Sequence, residues 1–593
     1  MFYNVRMRLP KLKRQMFDMF ALAFCLTLVL TCSVQATIQV ELSGLEGELL
    51  QNAKSWMVIE RQKEVPYLNT RQVQRLHRAA FRQIRRALRP FGYYQVQVTG
   101  ELVKLDANEW RASYQVVLGK QSKLTKAHIQ MEGDGAEHPA LIRAARQFPL
   151  QVGDVVIHEK YETGKANLIA KAKELGYLEA HYSHSSIYVN SAQNKAELHM
   201  VLNTGPRFYI GSVNFSSTFL DDEFLNKFIP FDSGDPYSDQ ALSALQSELL
   251  DSGFFSEVEI RPEFEQSADN IVPILINLIS NPRTRYTLGV GYGTDTGARA
   301  SARAQIKPIN RWGHKVSARV QPSEWIREWS IAYDIPLDDP LRRQLEFRWG
   351  WNHSNRDDNE SKRKVLSVNQ VGRRNRWRET RFINIESEEY LIGNKPEASA
   401  RGFIPGVSWS RVRTNHPIWI ERGRFNELTF RQSIPIFGFD TKATQLEFRN
   451  RWVSQAEHRG RWITKLDLGA TFIDELADLP LSQRFYAGGD ESVRGYGTKA
   501  LTPRDADGDR VGGKYLLIIG LEREYHWKGK WHYAWFIDSG NAMDEWDHSL
   551  AHGVGLGIRR QSPIGPIRID IANGLNEDDL GGWRIHLSLG PEL

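Results

Sequence analysis

From residue 284 onward, apolar and polar residues alternate with a period of two, run after run, and few folds satisfy that pattern. In QLEFRWGWN, Leu345, Phe347, Trp349 and Trp351 fall on one face, with Gln344, Glu346, Arg348 and Gly350 on the other. WITKLDLGATF sets Trp462, Leu466, Leu468 and Phe472 against Lys465, Asp467 and Thr471. WRIHLSLG sets Trp583, Ile585, Leu587 and Leu589 against Arg584, His586 and Ser588. Successive side chains of a strand point to opposite faces, so each run offers one apolar face only. A soluble β-sandwich alternates too. Here the charges lie opposite the aromatics in strand after strand, and residues 284–593 hold 15 of the 17 tryptophans. An aromatic-girdled apolar exterior around a polar lumen is the pattern of a transmembrane antiparallel β-barrel. About 310 residues, at roughly ten per strand plus connections, allow ~14–18 strands; an even count follows, with 16 expected. IPLDDP (335–340) reads as a short turn and NHSNRDDNESKRK (352–364) as a long polar loop.

Composition is consistent with this once the N-terminus is set aside. The 593 residues carry 77 Lys+Arg and 71 Asp+Glu, a net charge of +6. Arg6, Arg8, Lys11, Lys13 and Arg14 precede the apolar run Met19–Leu30, and Val34 and Ala36 sit at −3 and −1 of a cleavage point. Residues 1–36 therefore read as a cleaved export signal. Its removal leaves 72 basic and 70 acidic residues, and it takes away both cysteines, Cys25 and Cys32. An exported, nearly neutral chain without thiols excludes a disulfide framework and makes nucleic acid a poor partner. The mean hydropathy of −0.46 excludes a bundle of membrane helices, which needs apolar stretches of about 18 residues or more. It does not exclude a barrel.

Residues 37–283 read as mixed α/β with a threefold repeat. In each copy an amphipathic helix runs into a glycine followed by aromatics. Val73, Leu76, Ala80, Ile84 and Leu88 precede Gly92-Tyr93-Tyr94; Leu168, Ala172 and Leu175 precede Gly176-Tyr177; Ala241, Leu242, Leu245 and Leu249 precede Gly253-Phe254-Phe255. Glycine suits the left-handed stop of each helix. The expected domains are 37–119, 120–205 and 206–283, followed by the barrel over 284–593. Arg71, Arg75, Arg78, Arg82, Arg85 and Arg89 form a stripe beside the apolar face of the first helix. It reads either as a solvated face or as a contact for anionic headgroups or an acidic partner.

No HExxH, GxSxG or P-loop is present, so an enzyme is not expected, nor are a cofactor or a metal. DADGDR (505–510) fails the EF-hand pattern, with Gly508 at position four and Leu516 at position twelve, and reads as a polar surface loop.

The segment RFYAGGDESVRGYG (484–497), with Val493, Arg494, Gly495 and Tyr496 at its core, resembles the lumen loop of the outer-membrane protein-assembly superfamily. GLERE (520–524), FIDSG (536–540) and the hairpin GVGLGIRRQSPIGPIRIDIA (553–572) agree in order, and the three repeats resemble POTRA domains. Within the superfamily, the repeat number, GYGTDTGARA (291–300) and LGPEL (589–593) are most similar to the TamA branch. The resemblance implies an outer-membrane location with periplasmic POTRA domains. It also implies insertion or translocation of unfolded outer-membrane and autotransporter clients without nucleotide hydrolysis, a TamB-like inner-membrane-anchored partner, and contact with outer-membrane lipid. A passive pore or transporter, including one for lipid, stays open as the other reading. From the same resemblance, Glu522 and the Phe536, Asp538, Gly540 motif enter as site residues. A guanidinium drawn into a lumen needs carboxylates, and its fork suits Asp538 or Glu522; the alternative is that Arg494 is one lumen charge among many.

The seam is the second candidate. The first barrel strand, YTLGVGYG (286–293), places Gly289, Gly291 and Gly293 on one face, and the last ends at Gly590-Pro591. Proline offers no N–H to a ladder, so the first and last strands are expected to pair briefly and to part for an incoming β-strand. Accommodation of barrel curvature is the other reading of these glycines.

Overall fold

The computed structural model describes residues 37–589, apart from 65–67, 107–108, 217, 357–358, 417, 437–440, 458–459, 547–549, 564 and 577–580. The export segment 1–36 and the pair Gly590 and Pro591 lie outside the described residues. The chain divides into two compact units. The first holds residues up to Gly211 with 233–240 and 264–272, and the second holds 212–232, 241–263 and everything from Pro273.

Each repeat is a three-stranded sheet covered by helices. In the first, β1 (Thr37–Ser43) lies parallel to β3 (Glu109–Val117), which pairs antiparallel with β2 (Gln97–Asp106). The second repeats this order with β4 (Lys123–Glu132), β6 (Lys195–Asn203) and β5 (His181–Asn190). The third does so with β7 (Tyr209–Phe215), β9 (Ile271–Ser280) and β8 (Phe255–Pro262). The helix Thr70–Leu88 begins with a capping box: the Gln72 N–H donates to Asn69 Oδ1 at 2.9 Å, and the Asn69 N–H donates to Gln72 Oε1 at 2.8 Å. Its Val73, Leu76, Ala80, Ile84 and Leu88 are buried against Trp110 and Tyr114 of the sheet. The three glycines end their helices in the left-handed region, with φ of +85° at Gly92, +93° at Gly176 and +65° at Gly253. Tyr177 and Phe254 then turn back into the core.

The second unit closes into a barrel of sixteen strands among the described residues, from β10 (Thr284–Gly293) to β25 (Trp583–Leu589), each antiparallel to its neighbour in chain order. The alternation sorts as the pattern requires. Phe347, Trp349, Leu468, Phe472, Trp583 and Ile585 are exposed on the outer wall, whereas Glu346, Asp467, Thr471 and His586 are buried inside. No helix among the described residues is long and apolar enough to cross a membrane.

One expectation fails. Residues 352–356 and 359–364 are strand, not loop: β14 (Arg343–Arg356) and β15 (Asn359–Arg374) stay in register from Arg343↔Gly372 to Arg356↔Asn359. Polar residues extend the ladder because they pair across it. His353 Nε2 lies 3.0 Å from Glu360 Oε1, and Lys362 Nζ lies 3.2 Å from the same oxygen. The longest connection is instead 473–514, between β20 (Gly460–Phe472) and β21 (Tyr515–Lys528).

Candidate functional site

The 473–514 connection folds as a plug with a core of its own. Phe485 and Gly513 exchange backbone hydrogen bonds of 3.0 and 2.8 Å. The Arg484 guanidinium ties the strap together, donating to the carbonyls of Leu479, Val511 and Ala477 at 2.8, 3.0 and 3.2 Å. Val493 and Tyr496 are buried with Phe485, Ala487, Ala500 and Leu501 against Ala542 and Ala551 of the inner wall. Two glycines make this seat possible. Gly495 has φ +95°, and a Cβ there would meet the Gly574 nitrogen at 2.5 Å. On the wall, a Cβ at Gly553 would stand 1.9 Å from the Arg494 carbonyl oxygen.

Arg494 then points its fork at three strands. Nε donates to Asp538 Oδ2 at 2.7 Å and Nη2 to Asp538 Oδ1 at 3.2 Å, on β22 (Trp531–Met543). Nη1 donates to Glu522 Oε2 on β21 at 2.7 Å and to Asp570 Oδ2 on β24 (Ile567–Gly574) at 3.1 Å. The guanidinium lies 3.4 Å from the centre of the Phe536 ring. Gly540, the third residue of that motif, sits where a Cβ would meet the Leu517 carbonyl oxygen at 2.4 Å.

The network extends beyond the residues read from sequence. Arg559, on β23 (Ala551–Arg560), is fully buried; its Nη2 donates to Glu522 Oε1 at 2.7 Å, its Nη1 to Asp570, and its Nε lies 3.3 Å from Glu524. Arg461 pairs with Glu524, and Lys465 Nζ lies 3.4 Å from Asp538. Four largely buried cations thus face four buried carboxylates, where removal of one partner costs about 3–5 kcal/mol. Arg559 and Asp570 lie within the 553–572 hairpin that carries the family resemblance. Gly557 leaves them room, since a Cβ there would stand 1.8 Å from Asp570 Oδ1.

At the seam, β10 pairs with β11 (Gly297–Ile306) along its full length, from Thr284↔Ile306 to Gly293↔Gly297. Against β25 it has a single register pair among the described residues, Gly293↔Ser588. The adjoining Thr294 adds an N–H bond to the Leu587 carbonyl at 3.1 Å and accepts from the Leu587 N–H at its hydroxyl, 2.7 Å away. Gly289 and Gly291 face Ser301 and Arg299, whose side chains fill the space a Cβ would need.

The plug reaches both sides of that seam. The Gly495 N–H donates to His586 Nε2 on β25 at 3.0 Å, which leaves the imidazole proton on Nδ1, facing Asp490. Asp490 and Asp295 exchange bonds: the Asp490 N–H donates to Asp295 Oδ2 at 2.6 Å, and the Asp295 N–H donates to Asp490 Oδ2 at 3.2 Å. Asp295 lies in the turn that follows β10 and also accepts from the Thr498 hydroxyl. Tyr496 completes the anchorage by donating to the His552 carbonyl at 3.1 Å, with Asn576 Oδ1 also 3.1 Å from its hydroxyl. Asp505 of the 505–510 segment is tied within the plug side of the barrel to Lys395.

Comparison with known proteins agrees with this architecture. The Omp85 superfamily domain matches residues 285–592, a POTRA domain described as TamA domain 1 matches 39–118, and a POTRA domain described as a surface antigen variable number repeat matches 208–279. The outer membrane protein assembly factor BamA of Nitratidesulfovibrio vulgaris is 36% identical over 133 residues, which are 21% of this chain and only 17% of that protein. The crystal structure of BamA from Haemophilus ducreyi lacking POTRA domains 1–3 superposes with a TM-score of 0.67 at 15% identity, covering 79% of this chain and 99% of that one. With more than half of its length matched by the barrel domain, the chain belongs to the Omp85 superfamily, its barrel in the outer membrane and its POTRA repeats in the periplasm.

Proposed function

We propose that this chain is an outer-membrane assembly factor of the TamA type. It helps insert or translocate outer-membrane and autotransporter proteins, working with a TamB-like inner-membrane-anchored subunit, and its clients pass through the lateral seam. The observation that supports this reading is a seam with a single register pair among the described residues, together with a plug that ties both seam strands. A barrel built only to conduct has no use for a weak closure between its first and last strands. A barrel that receives strands needs one, because exposed edge N–H and C=O groups template an incoming β-strand. The POTRA match described as TamA domain 1 supports the branch, and the similarity to a named assembly factor supports the client class. Folding and bilayer insertion of the client supply the driving force.

The test is reconstitution of the full chain into liposomes with an unfolded β-barrel client. Accelerated insertion over empty liposomes is expected. Insertion at the empty-liposome rate, together with single-channel conductance that rises when 485–501 is deleted, would replace this reading with that of a passive pore.

A further inference from the structure

The outer wall carries a basic cavity at the proximal end of the barrel, the end where the chain enters it. The cavity spans β16 (Trp377–Ile392), β17 (Ala398–Thr414), β18 (Gly423–Ser433) and β19 (Ala443–Ala456). It measures about 750 Å³ and is lined by Arg411, Arg413, Arg422 and Arg424 between Trp377 and Trp452. Register fixes the direction these side chains take. Glu379 opposes Trp409, Arg413 opposes Arg424, and Arg424 opposes Trp452. Opposed residues share a face, and this face continues into exposed Ile383 and Ile385 on β16, Phe430 on β18 and Leu446 on β19. Arg411, Arg413 and Arg424 therefore point outward, at the rim of the lipid-facing wall, and Arg422 lines the same cavity.

Beside the cavity on this wall, one charge is matched. Two residues along β16 from Glu379, Arg381 donates to that glutamate at 2.7 Å, and Trp409 Nε1 donates to the same carboxylate at 3.0 Å. By contrast, none of the four cavity arginines forms an ion pair among the described residues. Two are shelved on the flanking indoles, Arg411 5.8 Å from the Trp377 ring centre and Arg424 5.2 Å from that of Trp452. Four like charges gathered in one cavity repel one another unless an anion joins them. Tryptophans at such a rim mark the headgroup level of the bilayer.

We propose that this cavity binds the phosphate of an anionic phospholipid from the periplasmic leaflet. The guanidinium forks hold the phosphodiester. The acyl chains run along the outward wall formed by Ile383, Ile385 and Phe430. The occupant is a lipid because the cavity opens at the edge of an apolar wall that already faces acyl chains, and because its unmatched charge is positive. The site rests on family membership for the bilayer and stands apart from the assembly reading, so either can fail without the other.

The full chain, reconstituted in nanodiscs of equimolar phosphatidylglycerol and phosphatidylcholine and then stripped with detergent, tests it by native mass spectrometry. Wild type is expected to retain phosphatidylglycerol over phosphatidylcholine by at least about tenfold. The variant R411Q/R413Q/R422Q/R424Q, checked for folding by heat-modifiable migration, loses that preference. The variant R71Q/R75Q/R78Q/R82Q, with as many charges removed from the first repeat, keeps it, and excess inorganic phosphate does not displace the lipid. If the fourfold variant does not fold, the rim pair R413Q/R424Q takes its place and shows a partial loss. Equal retention of the two lipids by wild type, unchanged preference in the folded cavity variant, an equal loss in the first-repeat variant, or displacement by phosphate each overturns the proposal.

Discussion

His586, on the last barrel strand, donates its Nδ1–H to Asp490 of the lumen plug while its Nε2 accepts the N–H of Gly495. One imidazole thus holds both sides of the Arg494 loop and fixes the strand that closes the barrel. Replacing His586 with Ala removes two hydrogen bonds, each contributing about 1 kcal/mol. Amide hydrogen exchange in 583–589 and 284–293 is expected to rise by about tenfold, with the β14–β15 hairpin as an unaffected internal reference. Unchanged exchange at the seam would mean that the plug does not hold it shut.

Arg494→Ala leaves Asp538, Glu522 and Asp570 facing one cation fewer. The expected cost is about 3–5 kcal/mol locally, as for other broken buried pairs. Limited proteolysis should therefore cut the wild-type plug slowly and the variant plug, within 485–501, far faster. Lysine at 494 keeps the charge but not the fork, so its protection should fall between the two.

Sterics give an independent route to the same state. Gly553→Ala drives a methyl group toward the Arg494 carbonyl, which the ladder of β22 and β23 cannot yield to. Its proteolysis pattern should match that of Arg494→Ala although every charge is retained. Gly508→Ala, at φ +86° with nothing within 4 Å of the added carbon, is expected to cost only the local backbone strain of about 1–2 kcal/mol and to leave the plug seated.

The seam can be locked by Gly293→Cys with Ser588→Cys, since these positions pair directly and the native cysteines, Cys25 and Cys32, both precede residue 37. The oxidised barrel should lose client insertion in liposomes and regain it on reduction. Full activity in the oxidised state would rule out passage through the seam.

The periplasmic repeats should loosen in acid. His158 Nε2 lies 2.7 Å from the Tyr94 hydroxyl, and His77 Nδ1 lies 2.9 Å from that of Tyr114. Burial holds both imidazoles below the ordinary histidine range. A lowered pKa means that the unfolded chain takes up the proton first, so the contribution is intact above about pH 6.5 and falls as the pH drops below it. Hydrogen exchange in 70–94 and 158–174, corrected for the intrinsic rate, should be faster at pH 5.5 than at pH 7.5.

What the sequence disclosed follows from how locally each feature is encoded. Gly92, Gly176 and Gly253 are legible because a left-handed stop after an amphipathic helix needs no distant partner. The barrel is legible because its period of two is repeated along every strand. The plug core of Phe485, Tyr496 and Leu501 has no period, since a strap packs wherever the wall admits it. Arg559, Asp570 and His586 look like any lumen charge until register places them beside Arg494. Residues 352–364 look like a loop because charges that pair across a hairpin have the same composition as charges that face water.

Among the plug's ties to the wall, two stand far apart around the ring. On β16, Glu388 accepts from the Ser482 N–H at 3.1 Å and from its hydroxyl at 2.6 Å. Six strands around the ring, Asp538 on β22 holds Arg494. A strut across a ring resists ovalisation, so the stiffness of the cylinder is itself adjustable. Releasing either tie weakens that strut and with it the resistance of the wall to lateral membrane pressure.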